Sequence, residues 1–474
     1  MAKDAPQLRR VLGMSGLVLF GLAYMVPLAV FDTFGIVTNM TSGHLPAAYI
    51  VTTIAMLFTA FSYGQMSRAI PKSGSAYAYA RSAFGGEIGF IAGWGLMLDY
   101  VLLPMLDAMV ISIYLHASFP DIPAGVFIVA VLLLSTALNV IGIRLLVRAN
   151  FILIAVQVVF LVTFFALGLR AVAQGEAPNL LAPLLSPAMQ GSEIFGGAAI
   201  LCLAFLGFDA VSTLAEEAKD PKKQVPKAIM LVTLCGGVIF TATAYIAAVA
   251  FPNWQDFVDI ESAGLEVMQH VGGIFLGAFF VAAYCAGSFA SAMTSQASVS
   301  RILYSMGRDG VLPRRIFGTL SERFRTPLLG ILLVGAIGLL GIWLDLDTLS
   351  SMISFGALFA FSMVNLATIK HFVIDKHQRT ALDLLRYGLV PAVGFSLTLW
   401  LWTSLSGLTF VIGLSWLALG VVQLAYITGG FKRRPPELDP YADVELLTID
   451  DDPDTSAALI PESNTGEDRE KILK

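Results

Sequence analysis

The chain has 474 residues, of which 57% are hydrophobic and only 13% are charged, and its mean hydropathy is +0.77. Soluble domains carry about 25% charged residues, so the composition indicates a multi-pass membrane protein and excludes a soluble globular fold. The net charge of −5 reflects an acidic tail after residue 435 and gives no support for nucleic-acid binding. The three cysteines all lie in apolar segments, which is not the pattern of a disulfide framework.

The apolar segments predict twelve membrane helices, since about 20 helical residues cross a bilayer core. They lie near residues 14–37, 46–66, 87–117, 124–144, 150–171, 193–218, 227–250, 271–300, 327–344, 348–370, 387–406 and 408–429. An even number places both termini on one side of the membrane. If that side is the cytoplasm, 28 of the 29 Lys and Arg residues lie there and only Arg170 lies outside. The apolar segments predict an all-α membrane protein, and the positive-inside rule predicts that both its termini are cytoplasmic.

The sequence of the first span predicts a break in its helix. Pro27 has no N–H group and its ring clashes with the preceding turn, so the helix should break there. Asp32 follows at a depth where an ionisable group costs about 2.5–3.5 kcal/mol on insertion scales. A break and a carboxylate at mid-membrane predict a ligand site. The alternative is a proline kink with the acid near a helix end.

The sixth span shows a similar pattern. Gly207 is the natural place for a second break, and Asp209 follows either as a site residue or as the N-cap of the lower half-helix. The run 22–25, Leu-Ala-Tyr-Met, resembles the run 203–206, Leu-Ala-Phe-Leu. Such a match five helices apart is what an inverted repeat would produce.

The third span carries Asp99 and Tyr100, and Pro104 follows four residues after Tyr100. Proline should free the Tyr100 carbonyl, and Asp107 lies on the same helix face as Tyr100. A carboxylate, a phenol and a bare carbonyl suit an ammonium group, which offers three donors and no acceptor. The alternative is that Tyr100 is a packing residue and Asp99 bonds a neighbouring helix.

The acids within the spans have no predicted Lys or Arg partner inside the bilayer, so a cationic substrate would supply the missing charge. Aromatic side chains flank both breaks, and ring faces attract ammonium groups. The predicted substrate site comprises Tyr24, Pro27, Asp32, Asp99, Tyr100, Phe205, Phe208, Asp209 and Glu216. No spacing of His, Cys and acids predicts a metal site, and no motif predicts a cofactor.

Three cytoplasmic-side stretches carry a family resemblance: residues 70–79, Gly207-Phe-Asp with Glu216-Glu217, and residues 301–313. With twelve spans they resemble the amino acid–polyamine–organocation transporters over about residues 10–430. The resemblance implies two inverted five-helix repeats of the LeuT type plus two additional helices, unwound at the first and sixth helices. The implied segments are a cytoplasmic N-terminus 1–10, repeats 11–171 and 192–370, additional helices 387–429 and a disordered acidic tail 432–474.

Amino acid carriers of this family usually have a glycine-rich turn in the first helix, and this chain departs from that pattern. Residues 25–35, 98–105 and 205–211 instead resemble the putrescine importers. A carboxylate beside the first break would repel an α-carboxylate, whereas a diamine has none. We therefore expect a secondary active importer of a small organic cation, most simply putrescine or a related polyamine.

Other functions stay open at this point. A cationic or neutral amino acid transporter of the same superfamily is the nearest alternative, and a membrane-embedded amine or amino acid sensor is the alternative from another class. An enzyme is disfavoured, since the aqueous loops lack a cluster of nucleophile, base and metal ligands. The fifth span lacks the lysine that acts as a proton site in some relatives, which leaves coupling to a proton through one of the carboxylates as an open question.

Overall fold

The computed structural model describes residues 10–432, except 177–178, 188, 259, 261–262, 309, 322, 345 and 406. Residues 1–9 and the tail from 433 onward lie outside the described residues, so the disorder of the acidic tail stays a prediction. The described chain is helical, and its one isolated β-bridge joins Leu12 in parallel to Ala218. The predicted all-α fold is confirmed.

Eleven helical segments of the described chain are long and apolar enough to cross a membrane. They are Met14–Phe31, Leu45–Ala69, Gly86–His116, Ala124–Ile141, Arg148–Gln174, Gly191–Glu217, Pro221–Ala250, Ala263–Arg308, Thr348–Asp375, Ala381–Thr403 and Gly407–Ile427. The predicted ninth span is the shorter helix Leu328–Gly338, which continues as a 3₁₀ turn over Leu339–Ile342. The multi-pass architecture is therefore confirmed. The described chain has the predicted twelve spans only if this short helix is counted as one of them.

The first span breaks where Pro27 predicts. Its α-helix Met14–Met25 ends at Val26, which has a φ of 49°. A positive φ is unusual for a β-branched residue and marks a strained backbone. A 3₁₀ turn, Ala29–Phe31, follows, and a second short helix covers Phe34–Met40. Asp32 lies in the segment between these two elements.

The sixth span breaks at Gly207, also as predicted. An α-helix, Gly191–Leu201, tightens into a 3₁₀ turn, Cys202–Phe205, and the chain then passes through Gly207 with a φ of 124°. The lower half, Ala210–Glu217, is wound as a 3₁₀ helix. A long 3₁₀ stretch is uncommon because its hydrogen bonds are poorly aligned, so this half-helix is weakly held by its own backbone.

The two breaks contact each other. A Cβ atom at Gly207 would lie 2.9 Å from the backbone nitrogen of Met25 and 2.9 Å from the Cβ of Tyr24. Only glycine combines this close approach with a positive φ. The first and sixth spans, five helices apart, thus meet at their interruptions. The paired breaks agree with an inverted repeat, whose boundaries 11–171 and 192–370 stay a prediction.

The eighth span is longer than predicted. Ala263–Arg308 contains a break at Gly272 and Gly273, and it continues eight residues beyond the predicted end near 300. Arg301 therefore lies on the helix, with its side chain 5% exposed. The prediction that the span ends near residue 300, before Arg301, is therefore wrong.

Candidate functional site

The centre of the site is a hydrogen bond between two spans. The hydroxyl of Tyr100, on the third span, donates to the carboxylate of Asp209 just below the sixth-span break. The other Asp209 oxygen accepts from the backbone N–H of Gly207 at 3.3 Å. The Asp209 side chain makes no capping bond to the half-helix that follows. The N-cap alternative therefore lacks its capping hydrogen bond, and the role of Asp209 as a site residue stays a prediction.

Asp99 lies beside this pair and is fully buried. Among the described residues, neither of its carboxylate oxygens has a hydrogen-bond partner, which removes support for the alternative that Asp99 bonds a neighbouring helix. Asp99 and Asp209 interact electrostatically. Burying a polar group without a partner is costly, and burying a charge is more so. Two such carboxylates side by side form a place where a cation would be stabilised.

Tyr24 covers the site from the first span. Its ring centroid is 5.9 Å from that of Tyr100, at an interplanar angle of 57°. The Tyr24 hydroxyl is buried and has no hydrogen-bond partner in the described chain. The phenol lies in the field of three buried acids, Asp99, Asp209 and Asp107.

The second group of acids lies around Asp32. The hydroxyl of Tyr284, on the eighth span, donates to Asp32, and Asp107 interacts electrostatically with Asp32. Asp107 is 4% exposed, and its Oδ2 atom has no hydrogen-bond partner in the described chain. The four membrane acids are thus sorted into two pairs, Asp99 with Asp209 and Asp32 with Asp107.

Three other predicted residues, Pro27, Phe205 and Phe208, lie at or near the breaks. Pro27 is buried in the first break. Phe208 packs with Tyr63 and Phe361, at ring-centroid distances of 5.6 and 5.1 Å. Phe205 turns toward the seventh span, where its ring is 5.3 Å from Phe240. Both phenylalanines support the breaks, and neither has a ring contact with Tyr24 or Tyr100.

Glu216 is separated from this site by its partners. Its carboxylate receives two hydrogen bonds from Arg308 at 3.1 Å, and it accepts from the backbone N–H of Ser73 at 3.2 Å. Glu217 forms a buried ion pair with Arg301. The expectation that these two glutamates lack a cationic partner is wrong, because the eighth span extends far enough to supply two arginines.

Two site residues escaped prediction from the sequence. Tyr284 was missed, although a tyrosine in the middle of an apolar span is a detectable signal. Tyr49, on the second span, has a buried hydroxyl without a partner in the described chain and lies in the field of Asp32. Sequence alone does not show which face of a span meets the breaks, so neither residue could be assigned.

The membrane acids and the rings around them form surroundings that suit an organic cation. None of the four membrane acids forms an ion pair with Lys or Arg in the described chain, whose ion pairs lie elsewhere. The described residues include no group of three or more His, Cys, Asp or Glu that could hold a metal. Carboxylates and phenols surrounded by aromatic rings can accept hydrogen bonds from an ammonium group and cover its methylenes.

Similarity to known proteins agrees with the fold. The family model described as amino acid permease matches residues 16–429. The low-affinity putrescine importer PlaP of Escherichia coli (strain K12) is 39% identical over 443 residues, covering 92% of this chain and 97% of that protein.

More distant relatives include proteins named for other substrates. The branched-chain amino acid permease BcaP of Bacillus subtilis (strain 168) is 27% identical, over 88% of this chain and 92% of that protein. The cationic amino acid transporter 7, chloroplastic, of Arabidopsis thaliana is 28% identical, over 78% and 66%. A family match over most of the chain, together with the paired helix breaks, shows that this multi-pass membrane protein belongs to the amino acid permease family.

Proposed function

We propose that the protein is a secondary active importer of a small organic cation, with putrescine as its substrate. The observation that carries this proposal is the buried, unpartnered carboxylate of Asp99 beside the Tyr100–Asp209 hydrogen bond. The similarity to a protein named as a putrescine importer supports the same substrate. We also propose that the protein is not an enzyme, because the relatives named above are permeases and transporters.

A diamine fits the division of the acids into two pairs. One ammonium group would replace the missing partners of Asp99 and Asp209, and the other would approach Asp32 and Asp107. Tyr24 lies in the field of both groups and would cover the methylene chain between them. An amino acid would bring a carboxylate into the same acidic surroundings, and such like-charge contacts cost several kcal/mol.

Alternating access would use the two breaks as the moving parts. Freed backbone groups are tolerated at membrane depth where they face protein or a cavity. The strained Val26 and the 3₁₀ winding of Ala210–Glu217 are poorly stabilised locally. A cation at Asp99 would contribute the interaction that favours one arrangement of these segments over another.

The energy source for import would include the membrane potential. A potential of 100 mV supplies about 4.6 kcal/mol for two charges moving inward, at about 2.3 kcal/mol per charge. We place the protein in the inner membrane with both termini in the cytoplasm, as the Lys and Arg distribution favours. A proton carried inward on one of the membrane acids would supply the coupled ion of a secondary active importer.

Uptake by purified protein in liposomes tests the proposal. With a negative potential inside, labelled putrescine should accumulate, and excess unlabelled putrescine should compete far better than lysine or alanine. Transport of lysine or alanine without transport of putrescine would favour the amino acid carrier. Binding of putrescine without any uptake would favour a sensor and contradict the importer.

A further inference from the structure

Buried polar groups connect the central acids to the end of the protein that the Lys and Arg distribution assigns to the cytoplasm. At the inner limit of the central site is Asp209, whose carboxylate is bound by Tyr100 and the backbone N–H of Gly207. At the cytoplasmic end is the ion pair of Glu216 with Arg308, whose side chains are 22% and 31% exposed. The groups between these two points therefore link a buried acid pair to residues that solvent reaches.

Two tyrosines lie below the central acids. Tyr63 belongs to the second span and Tyr79 to the short helix Ser75–Phe84 that follows it, and both are 0% exposed. Their rings meet edge to face, with centroids 5.9 Å apart. Both phenols lie in the field of Asp209. The two hydroxyls are therefore part of the surroundings of the central acids.

Serine hydroxyls lie beside these phenols. The Tyr63 hydroxyl lies within reach of Ser75, and the Tyr79 hydroxyl lies within reach of Ser67 and Ser212. Four buried hydroxyls complete no hydrogen bond within the described chain, and we refer to them as the hydroxyl column: those of Tyr63, Ser75, Tyr79 and Ser212. Buried water typically makes about three hydrogen bonds to such groups, so water can join neighbouring members of the hydroxyl column.

The cytoplasmic end of the hydroxyl column is formed by the loop after the second span. The backbone N–H of Ser73 donates to the Glu216 carboxylate at 3.2 Å, and the Ser73 hydroxyl accepts from the backbone N–H of Glu216 at 3.2 Å. Arg308 donates two hydrogen bonds to the same carboxylate at 3.1 Å. Ser75, two residues after Ser73, begins the short helix with a φ of 46°. Residues 70–79, which carry part of the family resemblance, thus supply both this end and two of the buried hydroxyls.

The chemistry of the hydroxyl column favours the conduction of a proton over the passage of an ammonium ion. A hydroxyl has one donor and two acceptor positions, so it can accept a proton on one side while it gives its own on the other. A diamine would need an open passage, whereas the Tyr63 ring is packed against three other rings, with centroids 5.6 to 5.9 Å away. Chains of polar groups at membrane depth are typical of proton relays.

We propose that the hydroxyl column conducts a proton from the central acids to the cytoplasm during import. This inference rests on the proposed function, which supplies the substrate cation and the coupled proton. An ammonium group at Asp99 favours the ionised form of the acid pair, so a proton held by the pair leaves as the substrate binds. The proton passes to the hydroxyl of Tyr63 or Tyr79. Each hydroxyl or bridging water then gives on a proton of its own, and the last proton enters cytoplasmic water beside Glu216 and Arg308.

Uptake by the purified full-length protein in liposomes, with the pH-sensitive dye pyranine inside, tests this route. The membrane potential is held at zero with K⁺ and valinomycin, and the outer solution is made acidic. Labelled putrescine should accumulate in liposomes with the wild type, and the interior should acidify together with it. Accumulation that requires a membrane potential and moves no protons would overturn the inference and leave the importer proposal intact. A wild type that transports no putrescine under either condition would contradict both.

Tyr79→Phe keeps the ring and removes the hydroxyl. Uptake driven by the pH gradient should fall about two- to tenfold, which corresponds to the net contribution of one hydrogen bond, and the dissociation constant for putrescine should be unchanged. The control Tyr426→Phe, at a side chain that is 83% exposed, should match the wild type. Ser212→Ala should reproduce the loss, and Ser212→Thr, which keeps a hydroxyl, should retain uptake.

Two results with these variants would overturn the hydroxyl column as a proton route. One is gradient-driven uptake by Tyr79→Phe and Ser212→Ala at the rate of the wild type. The other is an equal loss of putrescine binding and of uptake in both variants, which would show that the hydroxyls support the fold of the site and do not conduct protons.

Discussion

The hydroxyl of Tyr100 donates a hydrogen bond to the carboxylate of Asp209, and this contact joins the third span to the break in the sixth. It fixes one carboxylate of the central pair, while the neighbouring carboxylate of Asp99 has no partner in the described chain. The asymmetry gives the two acids different tasks. Asp209 is held in place by the protein, and in the proposed function Asp99 would be the carboxylate that receives the substrate.

The first prediction concerns the hydroxyl of Tyr100. Tyr100→Phe should raise the KM for putrescine by about tenfold or more, because a hydrogen bond to a charged group contributes about 1.5–3 kcal/mol. Tyr100→Leu should add only a small further loss. A much larger loss in Tyr100→Leu than in Tyr100→Phe would show that the ring face, rather than the hydroxyl, is the functional group.

The second prediction concerns the contact between the two breaks. Gly207→Ala should abolish transport and lower the thermal stability, since the Cβ would meet Met25 and Tyr24 at 2.9 Å in a positive-φ conformation. The matched control is Gly64→Ala in the second span, where the nearest atom is 3.6 Å away. That helical position should tolerate alanine. Equal transport and equal thermal stability of the two variants would show that the close contact at Gly207 does not require glycine.

The third prediction separates Glu216 from the substrate site. Glu216→Gln and Arg308→Gln should have similar effects on transport, and the double variant should be no worse than either, because they share one interaction. Neither should change the preference for putrescine over other amines. A change of preference in Glu216→Gln alone would return this residue to the binding site, as the sequence had suggested.

The fourth prediction concerns the buried ion pair between Arg301 and Glu217, which should contribute to the stability of the fold. Arg301→Gln leaves the carboxylate of Glu217 buried without its partner, at 4% exposure, which costs about 3–5 kcal/mol. We expect a lower yield of folded protein and a lower melting temperature, measured in detergent. Arg308→Gln is the control, since the Arg308 and Glu216 side chains are 31% and 22% exposed and solvent screens their interaction. Equal melting temperatures would show that burial of the pair is unimportant.

Local sequence rules predicted the breaks, because Pro27 and Gly207 act on their own backbone. They also predicted the acids at membrane depth, since a charged residue within an apolar run needs no tertiary information to be noticed. The partners of those acids could not be predicted in the same way. Arg301 and Arg308 were assigned to a loop because hydropathy does not show where the eighth helix ends, and Tyr284 was missed because its contact with Asp32 joins residues 252 positions apart.

A fifth prediction addresses the substrate class. Ornithine is putrescine with an added α-carboxylate, and the two acid pairs should repel that group. Putrescine should compete for uptake more than tenfold better than ornithine, given that like-charge contacts cost several kcal/mol. Asp32→Asn should reduce this difference in competition, because it should weaken the binding of putrescine more than that of ornithine. Equal competition by the two compounds in the wild type would favour a cationic amino acid carrier.

The most direct measurement is putrescine uptake by Asp99→Asn in liposomes, at matched protein content. Asparagine keeps the shape of the side chain and removes its charge, so kcat/KM should fall at least about tenfold, the effect of losing one charged hydrogen bond of about 1.5–3 kcal/mol. The control Asp121→Asn, at an exposed acid outside the spans, should match the wild type. Unchanged kcat/KM in Asp99→Asn would contradict the account, because the unpartnered carboxylate would then not be the group that receives the cation.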